Sequence, residues 1–208
     1  MISPSLARLG LLALLCGCAH RGTTPPVAPS SGAPLRVVTG SACSALAVVL
    51  DSLAVGRDGE YPVVAEMTTA YGQSTYVPEF FARLKATRGL REATWTNFLD
   101  HNAQPERVCP EVLGRGRPVT TATPLAAWSS IQEAHPKSTG VYIPSGLGVA
   151  TDGAQVFVLV SVRVSACGAT RYIALVDRDL AGRWKISSLL DDGGMGDCLG
   201  PIGKPPGS

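Results

Sequence analysis

The chain is 208 residues long, 45% hydrophobic and 16% charged, with a formal net charge of +2 at neutral pH. That supplies the core of one domain and argues against a nucleic-acid partner, which would call for a strongly basic face. Cysteine is the unusual component, with six residues, and its distribution bears on the compartment.

Taken from the amino terminus, Arg8 and the free amine supply positive charge, and Leu9 to Leu15 form an apolar run too short to span a bilayer. This is the pattern of a signal peptide. It closes on Leu15-Cys16-Gly17-Cys18, which resembles the lipobox of a bacterial lipoprotein precursor. The resemblance implies that residues 1–17 are removed, Cys16 with them, and that Cys18 receives the lipid, palmitate included. Cleavage before Cys16 would instead put Leu15 where a small residue is required. An ordinary secreted protein with a cysteine-rich leader is the competing reading. Several acyl chains hold a protein stably where one binds reversibly, so the expected partner is a membrane and the expected address the cell envelope. Ala19 in place of Asp after the cysteine implies, by the same resemblance, passage to the outer membrane.

Residues 18–34 are rich in proline, serine, glycine and threonine and carry little to bury, so they form a tether. Residues 35–208 are expected to form a single globular α+β domain, with N-terminal helices packed on a C-terminal antiparallel meander of three to four strands and a loose glycine- and proline-rich tail after Asp197. Ser41 is placed to cap a first helix in which Leu46, Val49, Leu50 and Leu53 share a face, and Gly56 to end it. A short strand follows through Val63, Val64, Ala65 and Met67, with Pro62 at its start or edge. Pro78 opens a second helix carrying Phe80, Phe81 and Leu84, and Gly89 stops it. Ala93 to Asn102 reads as a third helix with Trp95, Phe98 and Leu99 apolar. Ala126 to His135 reads as a fourth, turning Trp128 and Ile131 inward before Pro136.

The clearest signal is the alternation from Val156 to Val164, with valine at every second position. Phe157, Leu159, Ser161, Arg163 and Ser165 occupy the other face and turn polar, so that face is expected to be only partly buried. Cys167 to Thr170 is expected to turn into a strand over Arg171 to Asp177. Arg178 to Gly182 then turns into another over Arg183 to Leu190, and a shorter strand at Leu147 to Ala150 precedes the set.

Setting Cys16 and Cys18 aside leaves Cys43, Cys109, Cys167 and Cys198, an even set suited to two disulfides in an oxidising envelope. Zinc is disfavoured, because these cysteines are scattered singly and not in close pairs. Four cysteines allow three pairings; sequence proximity suggests Cys43 with Cys109 and Cys167 with Cys198. No other metal or cofactor is expected. Arg83, Lys85, Arg88, Arg91, Arg107, Arg115 and Arg117 cluster in one region, but Glu79, Glu92, Asp100, Glu106 and Glu111 interleave with them, as on a solvated face.

Trp128…His135-Pro136…Ser138…Gly140, then Ser145-Gly146-Leu147-Gly148, the valine strand and Gly182-Arg183-Trp184-Lys185-Ile186 resemble a class of uncharacterised bacterial secreted proteins and lipoproteins. Phe98…Asn102 resembles an earlier element of the class, and His135 stands where a tyrosine is usual. The likeness spans about half the chain. It implies a fold and a compartment without a reaction.

Candidate chemistry is sparse. Ser145 lacks the flanking glycines of a nucleophile elbow, Ile143 and Leu147 standing in their places, and reads as a turn serine. His101 and His135 are the histidines available to a general base, and each needs a carboxylate partner. Asp191-Asp192-Gly193-Gly194-Met195-Gly196-Asp197 could offer oxygens to calcium but lacks EF-hand spacing. The expected function is therefore a non-catalytic envelope binding module with a possible envelope protein partner. A periplasmic or surface hydrolase built on His101 or His135 is the alternative. A third reading is a binder of small apolar ligands on the face around Phe157 and Leu159.

Overall fold

The valine alternation forms the centre of a sheet. The computed structural model describes residues 36–54, 60–70, 78–113, 119–120, 128–165 and 168–195. In it β5 (Gln155–Ser165) runs antiparallel to β6 (Gly168–Arg178), which runs antiparallel to β7 (Trp184–Met195). This meander with its flanking helices makes the fold α+β. The sheet is larger than the meander, however. On the far side of β5 lies β3 (Ser138–Pro144), antiparallel to it, then β1 (Tyr61–Ala65) parallel to β3, then β2 (Val119–Thr120) parallel to β1. The strand order is β2-β1-β3-β5-β6-β7, and the two-residue β4 (Gly148–Val149) pairs with β5 off that path.

Both faces are covered. Val156, Val158, Val160 and Val162 join Ala174, Val176, Val64 and Tyr142 in one buried cluster with Leu46, Val49 and Leu50 of α1 (Ser41–Leu53) and Val112 of α4 (Pro110–Leu113). On the opposite face Phe157, Leu159, Ile173 and Leu175 pack with Leu84 of α2 (Pro78–Arg88) and with Trp95 and Phe98 of α3 (Glu92–His101). Phe157 and Leu159 are 1% and 0% exposed, so the face expected to be partly open is occupied by helices. The crevice beside them, lined by Leu84, Arg88, Leu90, Phe157, Ile173, Leu175 and Ser188, holds about 10 Å³, the size of a single water. A third small cluster sets Ile131 of α5 (Trp128–Ala134) against Val63 and Val141.

Several boundaries differ from expectation for local reasons. Ser41 is the first residue of α1 and not its cap; Gly40, at φ 71°, precedes it without a side-chain cap bond. The helix ends at Leu53, where the Ala54 N–H donates to Leu50 O, and Gly56 lies outside the described residues. Gly89 does stop α2, at φ 71°. Met67 is not part of β1: Met67 and Thr69 each make an isolated bridge, to Arg107 and Ser145. Pro62 is tolerated next to a register shift, and β2 pairs only Val64 and Ala65, so no ladder bond is demanded from its missing N–H. Gly168 to Thr170 belong to β6 and not to a turn, and β7 runs on to Met195. The side chain of Trp128 lies outside the described residues, as do Cys18, Cys167, Cys198 and the tail.

Cys43 of α1 and Cys109 are joined as a disulfide, with Cα atoms 5.7 Å apart and both residues buried. The bond ties α1 to the segment that enters α4. No helix among the described residues is long and apolar enough to cross a membrane.

Candidate functional site

Of the polar residues singled out for chemistry, His101 and Ser145 come together where α3 ends against the start of β4. His101 occupies the last turn of α3, and its Nδ1 lies 2.8 Å from Oε1 of Glu106. The Glu106 side chain is 3% exposed and that of His101 33%. A carboxylate so deeply placed requires donors, and an Nδ1–H tautomer of His101 supplies one. Thr68 pins the same segment: the Glu106 N–H donates to Thr68 Oγ1 at 2.8 Å and the Thr68 N–H to Glu106 O at 2.8 Å. Asp100, the sequence neighbour of His101, instead faces Arg36 at 3.4 Å on the surface.

Beside this pair, Asn102 reproduces a backbone pairing with its side chain. Its Nδ2 donates to Phe98 O at 2.7 Å and to Gly146 O at 3.1 Å, while its Oδ1 accepts the Gly146 N–H at 3.0 Å. Ser145 is fully buried; its hydroxyl donates to Gly146 O at 2.8 Å and accepts the Leu159 N–H at 3.0 Å. The glycines of Ser145-Gly146-Leu147-Gly148 have a steric reason. A Cβ on Gly146 would strike the His101 carbonyl, and one on Gly148 would strike the Thr94 carbonyl and come within 2.6 Å of Phe98 Cβ. The motif is thus a seam along which β4 presses on α3.

The seam continues with two more side chains. Asn97 Oδ1 accepts the Val149 N–H at 2.7 Å. Buried Gln155 accepts from Thr94 Oγ1 at 3.0 Å and from the Arg91 N–H at 2.9 Å, and donates to Gly89 O and to Asp177 Oδ1. No role at the site was expected of Asn102, Gln155 or Thr68 from sequence, because a polar residue in a helical or strand pattern normally points to water. For Asn102, its place at the end of a helix was the available signal.

Asn102→Ala removes the acceptor of the Gly146 N–H, whereas Gly146 O keeps Ser145 Oγ and Phe98 O keeps the Asn102 backbone N–H. Three side-chain bonds are lost and one buried donor is orphaned, so the expected destabilisation is about 2–3 kcal/mol. Urea unfolding monitored by fluorescence measures it, and a loss below about 0.5 kcal/mol would refute the seam.

Chemically, a carboxylate on Nδ1 is the arrangement that would orient an imidazole for general-base work, and His101 and Glu106 have that geometry. The nucleophile that would complete it is not Ser145, whose hydroxyl is committed and buried. His135 sits edge-on to Tyr61, ring centres 6.1 Å apart. The acidic segment weighed for calcium and lacking EF-hand spacing is strand through Met195: Asp192 pairs with Arg171, and Asp191 Oδ1 accepts the Gly193 N–H at 2.8 Å. Gly196 and Asp197 lie outside the described residues. Glu111 lies near Cys43 and Cys109, but the two sulfurs are bonded to each other. In the basic region, Lys85 pairs with Glu92, Arg91 with Asp152 and Arg107 with Glu66, while Arg83 and Lys85 also stand over Phe80 and Phe81. Arg115, Arg117 and the Glu79 side chain are outside the described residues.

No protein-family model matches the chain, and neither a curated protein nor a solved structure matches it.

Proposed function

We propose that the chain is an envelope lipoprotein, held at the outer membrane by an acylated Cys18, whose folded domain works by binding an envelope protein and not by catalysis. The lipobox resemblance supports the anchor, and the tether over residues 18–34 gives the domain a reach of roughly 20 Å from the surface. The observation that carries the binding reading is the commitment of Ser145, Asn102 and Gln155 to the seam between α3 and the sheet. Among the described residues the sheet ends in two edge strands, the two-residue β2 and the twelve-residue β7, and the long outer edge of β7 is the one that offers room for a partner. Among the described residues, β7 has a neighbour only on its β6 side. Such an edge accepts an added strand through its main chain. Register shifts opposite Leu175/Val176 and Thr170/Tyr172 interrupt the regular edge, which favours a selective partner over open-ended pairing.

A photo-crosslinking side chain at Leu189, exposed on β7, tests this in intact cells expressing the full chain. The expected result is one discrete adduct with an envelope protein, absent when the same label replaces exposed Gln132 on α5. Identical ladders from both positions, or no adduct from Leu189, would count against it. For the anchor, palmitate incorporation should disappear in Cys18→Ser.

The His101–Glu106 hydrogen bond favours one alternative, a periplasmic or surface hydrolase in which His101 acts as base on a water or a substrate hydroxyl.

A further inference from the structure

Leu180 projects fully into solvent at the tip of the β6–β7 hairpin, and the turn that presents it is tightly bonded. Asp179 Oδ1 accepts the N–H groups of Ala181 and Arg183, both at 2.9 Å. The Asp179 N–H donates to Arg183 O and the Gly182 N–H to Asp179 O, each at 2.8 Å. Arg178 Nε closes the loop on Gly182 O at 2.9 Å, and Gly182 adopts φ 78°. An apolar side chain is therefore held outward by a rigid turn and does not fold back on the domain.

The same hairpin carries three cations, at Arg178, Arg183 and Lys185. Arg183 and Lys185 reach Asp179 Oδ2 at 3.1 and 3.3 Å with their side chains still 71% and 64% exposed, and Arg178 stands 5.7 Å over the half-buried Trp184 ring. The Arg183 backbone N–H above all lowers the Asp179 carboxyl to about 2, against the opposing effect of desolvation and with help from the Lys185 and Arg183 side chains. Asp179 therefore stays ionised at neutral pH, and counting Asp177, which stands opposite Lys185, the two acids offset two of the three positive charges and leave the tip with a formal net charge of about +1.

We propose that this tip docks on an anionic lipid surface, with Leu180 entering the boundary between headgroups and acyl chains while Arg178, Arg183 and Lys185 meet lipid phosphates. An exposed aliphatic residue, an aromatic ring at its base and three cations on the same hairpin make up the composition that interfacial membrane contacts use. Preorganisation by the Asp179 turn lowers the ordering cost of docking. The contact does not depend on Cys18, so it goes beyond the proposed function and stands or falls separately. Where an anchor is present, tethering would raise the local lipid concentration seen by the tip.

Vesicle co-sedimentation of the full chain carrying Cys18→Ser tests it without any acyl group. The vesicles are phosphatidylcholine alone, or with about one-third phosphatidylglycerol to set a negative surface. Residues 1–34 are common to every protein compared, so the difference between the parent and the tip variants on the same vesicles reports on the tip. Binding is expected to the anionic vesicles only, and to weaken as salt rises. Leu180→Asp should reduce it about tenfold and Lys185→Gln about fivefold. Leu180 is outside the core, so its replacement leaves the fold intact, which a matching thermal unfolding curve verifies. Equal sedimentation with neutral vesicles, no sedimentation with either, or anionic binding unchanged in Leu180→Asp would each overturn the proposal.

Discussion

Phe98→Ala is expected to cost about 4 kcal/mol of unfolding free energy, the largest loss of any single truncation considered. Phe98 is fully buried at the centre of an aromatic run: it stacks on Trp95 at 5.4 Å and meets Phe157 edge-on at 4.8 Å, and Trp95 in turn stacks on Phe81 at 5.0 Å. Truncation removes the side chain that joins α3 to β5. Glycine at position 148 already brings β4 against Phe98 Cβ, so backbone from both sides is fixed and cannot collapse into the void. For a domain of this size the melting temperature should fall by roughly 8–16 °C. Calorimetry of both proteins checks it. A change under about 1 kcal/mol would mean that α3 is not an integral part of the core.

The second large effect is expected from the disulfide. Cys43 and Cys109 are 66 residues apart, and loop-closure entropy alone assigns the bond about 4 kcal/mol through the unfolded chain. The double substitution Cys43→Ala with Cys109→Ala should lose about that much in denaturant unfolding, and a reductant should reduce the stability of the parent protein but not of the double variant. Parent and double variant unfolding at the same midpoint in oxidising buffer would show that the bond does not contribute. The same comparison bears on compartment, since a domain that relies on this bond needs an oxidising environment.

The elements that announced themselves in sequence were those whose burial is periodic. Valine at 156, 158, 160 and 162 can only be a strand with one buried face, and Leu46, Val49 and Leu50 mark one side of a helix; both are where the pattern places them. β3 was hidden because Ser138, Thr139, Gly140 and Pro144 read as turn residues. In the structure Gly140, at φ 147°, lets the strand approach the Arg163 carbonyl, where a Cβ would come within 2.8 Å. Without β3 the parallel half of the sheet had no strand to pair with, so the expected meander was too small. The polar end of the β5 face also misled, since covering of Phe157 and Leu159 by α2 and α3 is a tertiary event that leaves no period in the strand itself.

At the candidate site, His101 was visible as a residue type, but its partner was not. Glu106 lies among alternating charges that suggest a solvated surface, and only the chain reversal after α3, pinned by Thr68, buries it. Ser145-Gly146-Leu147-Gly148 stood out as a motif for a reason that has nothing to do with nucleophilic chemistry: two glycines make room for α3, and the serine satisfies the backbone beside them.

The division between a binding module and a hydrolase rests on what His101 does. The direct measurement is hydrolysis of chromogenic carboxylic esters, phosphate esters and peptide amides by the full chain and by His101→Ala, at matched concentrations of folded protein. A binding module predicts rates at the buffer background for both proteins on every substrate, with the His101→Ala change visible only as a lower unfolding midpoint. Turnover by the parent protein that His101→Ala abolishes while remaining folded would contradict the account and establish the His101–Glu106 pair as catalytic.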